Sequence, residues 1–135
     1  MDTLVDPRPA PPLVLVVDDD AHVRALVREL LTDAGFRILE AADGEEVLGL
    51  GRQHRPDLIV LDVMMRGMDG YAALARLRGD PVMQDVPVII VTAQEEPIYR
   101  TLSAGVGATC HITKPFRAAA FVEMVRRILA ERRRR

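Results

Sequence analysis

The chain has 135 residues, 49% of them hydrophobic, which suits one domain around one core. It has no apolar run of about 18 residues and no basic segment leading into an apolar one, so neither a membrane span nor a leader is expected, and the single cysteine, Cys110, can form no internal disulfide. A cytoplasmic setting fits this pattern, and a formal net charge of −2 argues against a general nucleic-acid binder.

Residues 1–12 carry Pro7, Pro9, Pro11 and Pro12 and read as a flexible N-terminal tail. Leu13 to Val17 (LVLVV) is a continuous apolar run, the pattern of a strand buried on both faces. A helix follows, with Val23, Leu26, Val27, Leu30, Leu31 and Ala34 on one stripe, Asp20 as its N-cap and Gly35 at its C-terminal end. Phe36 to Ala41 (FRILEA) alternates in part and predicts an edge strand. Asp43 with Glu46 resembles a capping box for a helix near 44–53, which Gly49 and Gly51 should weaken. Asp57 to Asp62 (DLIVLD) is a third strand. A loop with Gly67 and Gly70 leads to a short helix near 70–78. Val86 to Thr92 (VPVIIVT) is a fourth strand, and Pro97 suits the first turn of a fourth helix near 96–104 that stops at Gly105. Ala108 to Ile112 (ATCHI) is a fifth strand. Phe121, Val122, Val125, Ile128 and Leu129 line a fifth helix, and arginines 132–135 form a basic end, read as a solvated helix terminus favoured by the helix dipole.

Five strand–helix units in alternation imply an α/β fold, a parallel sheet with helices on both faces. Right-handed crossovers leave few topologies, of which the flavodoxin-like, doubly wound order 2-1-3-4-5 is the common one at this size. Ligands bind such sheets at the carboxyl ends of the strands. There the sequence places Asp18, Asp19 and Asp20 after the first strand, Asp62 at the end of the third, Thr92 at the end of the fourth and Lys114 just past the fifth. Lys114 is the only lysine in a chain with 18 basic residues. Two carboxylates about 4 Å apart repel by roughly 4 kcal/mol at an effective dielectric near 20, so a cation must offset them or one must stay protonated. Hard carboxylate oxygens with no His or Cys at the strand ends suit Mg²⁺, which usually completes its shell with phosphate and water oxygens. Phosphoryl transfer also needs donors and positive charge around the phosphoryl oxygens, which Thr92 and Lys114 can supply, with Asp62 as a reasonable nucleophile.

These pieces match a family. Val14 to Asp20 (VLVVDDD), Pro56 to Gly70 (PDLIVLDVMMRGMDG), Val86 to Ala93 (VPVIIVTA) and Gly107 to Phe116 (GATCHITKPF) resemble, in order and spacing, the receiver domain of bacterial two-component response regulators, here over residues 13–131. The resemblance implies that Asp62 is the phosphoacceptor and that Asp19, Asp62 and the backbone carbonyl of Met64 ligate Mg²⁺, with Asp18 acting through a water. It implies that Thr92 is the switch hydroxyl, that Lys114 contacts the phosphoryl group and that the Lys114–Pro115 bond is cis. The expected donor is a sensor histidine kinase or a histidine phosphotransfer protein. The expected readout is a downstream protein target, or a homodimer, through the face made by the fourth helix, fifth strand and fifth helix. No direct nucleic-acid or membrane contact is expected, nor any catalysis beyond self-catalysed phosphotransfer and autodephosphorylation.

The chain departs from the family pattern at three places. Arg66 replaces the proline usual four residues after the acceptor. His111 stands where a switching aromatic ring is usual. Met64 and Gln94 occupy the positions that tune attack of water on the phosphoryl group, and an apolar Met64 predicts slow hydrolysis. An aspartyl-phosphate phosphatase would need an acid at position 64. A flavin-binding module of this fold would need a phosphate loop where three aspartates stand. A receiver-like domain that signals without phosphate would not need the intact set of site residues.

Overall fold

A computed structural model of the protein describes residues 10–63, 70–92 and 107–133. Among them are five strands, β1 (Leu13–Val17), β2 (Arg37–Ala41), β3 (Leu58–Asp62), β4 (Val88–Thr92) and β5 (Cys110–Thr113). The described helices are α1 (Ala21–Asp33), α2 (Gly44–His54), α3 (Gly70–Arg78) and α4 (Ala118–Arg133). The strands form one parallel sheet in the order β2-β1-β3-β4-β5. The helix expected near 96–104, with Pro97 and Gly105, lies outside the described residues. No helix among them is long and apolar enough to cross a membrane.

The uninterrupted apolar runs become the central strands because helices cover both of their faces. Every residue of β3 and β4 is buried. Leu15, Val17, Ile59, Leu61, Val88 and Ile90 pack with Val47 of α2 and with Leu74 and Leu77 of α3. On the other face Val14, Val16, Leu58, Val60, Ile89 and Val91 meet Val27 and Leu31 of α1 and Phe121, Val125 and Leu129 of α4. Each large side chain sealed in this way contributes about 1.5–3 kcal/mol.

Local chemistry sets the helix ends. Asp20 caps α1, its Oδ1 accepting from His22 N at 2.9 Å and Val23 N at 3.2 Å. Asp43 caps α2 through Glu46 N at 3.0 Å, but the Glu46 carboxylate reaches back to Ala42 N, one residue before the cap, at 3.2 Å. Three expectations are corrected. Leu26, placed on the buried stripe of α1, is 61% exposed, because it lies at the stripe's edge beyond the reach of the sheet. Gly51, read as a weakness in α2, is a close approach: a Cβ there would stand 2.9 Å from Cε of Met83. The last two strands begin two residues later than the apolar pattern suggests, at Val88 and Cys110.

The amino edge of the sheet is tied by polar bonds. Asp57 Oδ2 accepts from Leu13 N at 2.8 Å, and Arg132 Nη1 donates to the Asp57 carbonyl at 2.8 Å. Arg78, at the end of α3, donates to the carbonyls of Gly107, Gln84 and Val86 at 2.9, 3.0 and 2.7 Å. Asp80 accepts from Arg52 of α2 and from the N–H groups of Val82 and Met83.

Candidate functional site

The register brings the predicted residues to one edge. Val17 sits beside Leu61, Asp62 beside Val91, and Thr92 beside Thr113, so the chain leaves β1, β3, β4 and β5 at the same level. Asp18 and Asp62 are buried there, and Asp19 lies nearer solvent. One oxygen from each of these three carboxylates can be chosen so that all lie within 4.8 Å of one another.

Each acid is held by its surroundings. Asp18 N continues the ladder to Ala41 O at 3.2 Å, and Asp18 Oδ1 accepts from Asp20 N at 2.9 Å. Asp20, the third acid of the run, turns away to cap α1, and the N–H groups of Val23 and His22 hold its carboxyl below the usual carboxylate range. Asp62 is positioned from behind by Gly70, whose N–H donates to Val63 O at 3.1 Å. A Cβ at Gly70 would press on the Asp62 carbonyl oxygen. Sequence reading took Gly70 for a loop residue; no local signal marks the close approach.

Lys114 closes the site from the β5 side. Its backbone N–H donates to the Thr92 carbonyl at 2.7 Å, and its Nζ stands 3.4 Å from Asp18 Oδ2 and 3.9 Å from Asp62 Oδ2. The ammonium therefore sits nearer Asp18 than Asp62. The Lys114–Pro115 peptide is cis. Thr92 is fully buried at the end of β4. His111 pairs with Ile90 and lies two residues before Thr113, hence on the same face of the sheet as Thr92. Met64, Arg66 and Gln94 lie outside the described residues.

Three carboxylates and one ammonium leave the cluster with an excess of negative charge. Each pair about 4 Å apart costs roughly 4 kcal/mol at an effective dielectric near 20. The donor set is all oxygen, two of its members are buried, and one lysine cannot offset all three. These residues fit a hard divalent cation. Sequence reading missed Arg24, whose Nη1 donates to the Asp18 carbonyl at 2.6 Å. Its spacing four residues after the Asp20 cap was legible; its second partner, Glu40 Oε1 on β2 at 3.1 Å from Nε, was not.

Comparison with known proteins agrees with this geometry. Residues 14–126 match the family described as response regulator receiver domain. The transcriptional regulatory protein AfsQ1 of Streptomyces coelicolor is 38% identical over 88% of this chain and 51% of its own length. The chemotaxis protein CheY4 of Vibrio cholerae is 32% identical, with a TM-score of 0.84 over 88% of this chain and 99% of that structure. The receiver domain of the sensor histidine kinase PA1611 of Pseudomonas aeruginosa is 26% identical, with a TM-score of 0.83 over 90% of this chain and 99% of that one, and its structure has a magnesium ion coordinated in the active-site cleft. The chain belongs to the response regulator receiver domain family, the signalling modules of two-component systems. It spans about half the length of the curated relatives it matches.

Proposed function

We propose that Asp62 accepts a phosphoryl group from a phospho-histidine on a sensor kinase or histidine phosphotransfer protein. The observation that carries the reading is the gathering of Asp18, Asp19 and Asp62, with ligand oxygens within 4.8 Å of one another, beneath the ammonium of Lys114. In the reaction an Asp62 carboxylate oxygen attacks phosphorus and the P–N bond to the donor ring breaks. With its other ring nitrogen protonated, the donor leaves as neutral imidazole, and an acyl phosphate remains on Asp62. Asp19, Asp62 and, as the family resemblance implies, the Met64 carbonyl would hold Mg²⁺, with Asp18 acting through a water; when bound, the ion would supply positive charge against the phosphoryl oxygens and the carboxylates. Lys114 gives its ammonium to one phosphoryl oxygen, and Thr92 donates its hydroxyl to another.

The acyl phosphate carries about −1.5 to −2 charge where the Asp62 carboxylate carried one, so a crevice that is already acidic gains roughly −0.5 to −1. Thr92 and Lys114 move toward that charge. Because Lys114 N is bonded to Thr92 O, the movement passes to β5 and His111, and from there to the face shared with the fifth expected helix and the fourth, which lies outside the described residues. That face is where a downstream protein, or a second copy of the chain, reads the state. The module works in the cytoplasm, within residues 13–131, and its only catalysis is on itself: phosphotransfer and a slow autodephosphorylation.

Labelling with a small phosphodonor tests the assignment. Asp62→Asn keeps the shape of the acceptor and should fold normally but take up no phosphate from acetyl phosphate. Labelling of that variant at the wild-type rate would move the acceptor elsewhere. Unchanged labelling of the wild type in excess EDTA would reject the role of Mg²⁺.

A further inference from the structure

Among the described residues Asp18 is held by four polar bonds, two of which, to Ala41 of β2 and Arg24 of α1, come from outside the site. Its N pairs with Ala41 O, its Oδ1 with Asp20 N, and its Oδ2 with Lys114. Its carbonyl lies past the end of the β1 ladder, in a residue that is only 5% exposed, where an unpaired carbonyl would be costly. Arg24 supplies the partner. The Asp20 cap and the first turn of α1, closed by Arg24 N to Asp20 O at 2.9 Å, carry the side chain back over the loop. Its planar fork then meets two acceptors at once: Nη1 the Asp18 carbonyl at 2.6 Å, and Nε the Glu40 Oε1 on β2 at 3.1 Å. The second Glu40 oxygen accepts from Arg28 Nη1 at 3.1 Å. The fork is therefore fixed from α1 and β2 together, and Asp18 is fixed to it.

We propose that Arg24, clamped by Glu40, is a positioning residue that sets the Mg²⁺ affinity of the carboxylate cluster through the Asp18 backbone; this rests on reading that cluster as the Mg²⁺ site. Two effects of Arg24 oppose each other. Its hydrogen bond holds the Asp18–Asp19 turn in place, which favours the metal. Its charge, close behind a cation site, disfavours the metal. Glu40 offsets that charge, so the favourable effect prevails. Groups that orient metal ligands from behind commonly change affinity by tenfold or more when removed.

Substitutions separate the two effects. Arg24→Lys keeps the charge but replaces a two-point fork with a single point donor that cannot serve both acceptors. Glu40→Gln keeps an acceptor oxygen for Arg24 Nε and removes only the offsetting charge. Mg²⁺ affinity of the full chain is read by isothermal titration calorimetry, at a temperature where melting curves in EDTA show every variant fully folded. Arg24→Lys should weaken Mg²⁺ about tenfold. Glu40→Gln should weaken it several-fold, and should have little effect when Arg24 is already replaced by Gln, the non-additivity expected of groups acting as one unit. A role confined to folding would move the melting curve and leave the affinity of the folded protein unchanged. Wild-type affinity in Arg24→Lys overturns the positioning role. If that variant does not fold, Glu40→Gln alone decides: equal weakening with and without Arg24 overturns the clamp. If the wild type itself binds no Mg²⁺, the reading of the site and this proposal fall together, whereas tight wild-type binding with an indifferent Arg24→Lys removes the proposal only.

Discussion

Replacing Gly70 by alanine should separate folding from chemistry at the proposed acceptor, Asp62. Gly70 opens α3 with its backbone directly against the end of β3, and the atoms a Cβ would meet are backbone: the Asp62 carbonyl, and Val63 Cα at 2.6 Å. Neither can swing aside as a long side chain could. Ordinary contact begins near 3.4 Å, so α3 and β3 must part by roughly 0.8 Å to clear Val63 Cα and by somewhat more to clear the Asp62 carbonyl oxygen, an overpacking that costs about 1–3 kcal/mol. The displacement falls on Asp62, the proposed acceptor, and a misplacement of about 1 Å at a reacting group can slow a reaction some 10²-fold. The assay pairs a urea midpoint with the initial rate of labelling by acetyl phosphate at saturating Mg²⁺. Gly79→Ala is the control, since its Cβ meets nothing closer than 3.7 Å; its labelling rate should not change and its midpoint should not fall. Gly70→Ala labelled at the wild-type rate, whatever its midpoint, would refute the claim that this contact positions Asp62.

Lys114→Arg should fold and bind Mg²⁺ but lose most of the coupling between phosphorylation and β5, because a wide fork cannot enter beside Asp18 and Asp62 as a single ammonium does. Amide shifts of Cys110–Thr113 on phosphorylation, followed by NMR, should shrink sharply; shifts of wild-type size would defeat the argument from shape. Asp80→Asn should destabilise the protein at neutral pH. The Arg52 hydrogen bond holds the Asp80 carboxyl below the usual carboxylate range, so its contribution is present above the unfolded carboxylate pKa and is lost as pH falls through the lower folded value. The gap between wild-type and variant urea midpoints should therefore be wide at pH 7 and shrink progressively as pH falls below the usual carboxylate range, and a gap constant with pH would contradict the assignment.

The central part of the fold was legible because burial on both faces leaves a local trace. LVLVV, LIVL and VIIV have no polar interruption, and a strand with helices on both sides needs none. The convergence of Asp18, Asp19, Asp62, Thr92 and Lys114 at the candidate site was legible because a parallel sheet delivers all its strand ends to one edge. What escaped depends on partners distant in sequence. Leu26 satisfied a helical period that cannot say where the sheet stops. Gly51 looked weak until Met83, brought from the loop after α3, was placed against it. Arg24 bonds across 16 residues to Glu40, and Arg78 across 29 to Gly107; no spacing rule connects such pairs before the topology is known.

The bonds of Arg78, Arg132 and Asp57 at the amino edge have a consequence for how such a chain can diverge. They hold the far rim of the same strands whose near rim carries Asp18, Asp62 and Thr92, one strand length away. Substitutions at the two rims lie a strand length apart, so their free-energy effects should add. Changes at the amino rim should alter how much folded protein a cell holds; on the function proposed above, changes at the carboxyl rim should alter what each folded molecule does. A lineage could thus tune thermal tolerance through Arg78 or Asp57 while leaving signalling chemistry constant, or retune the lifetime of the signal on an unaltered scaffold.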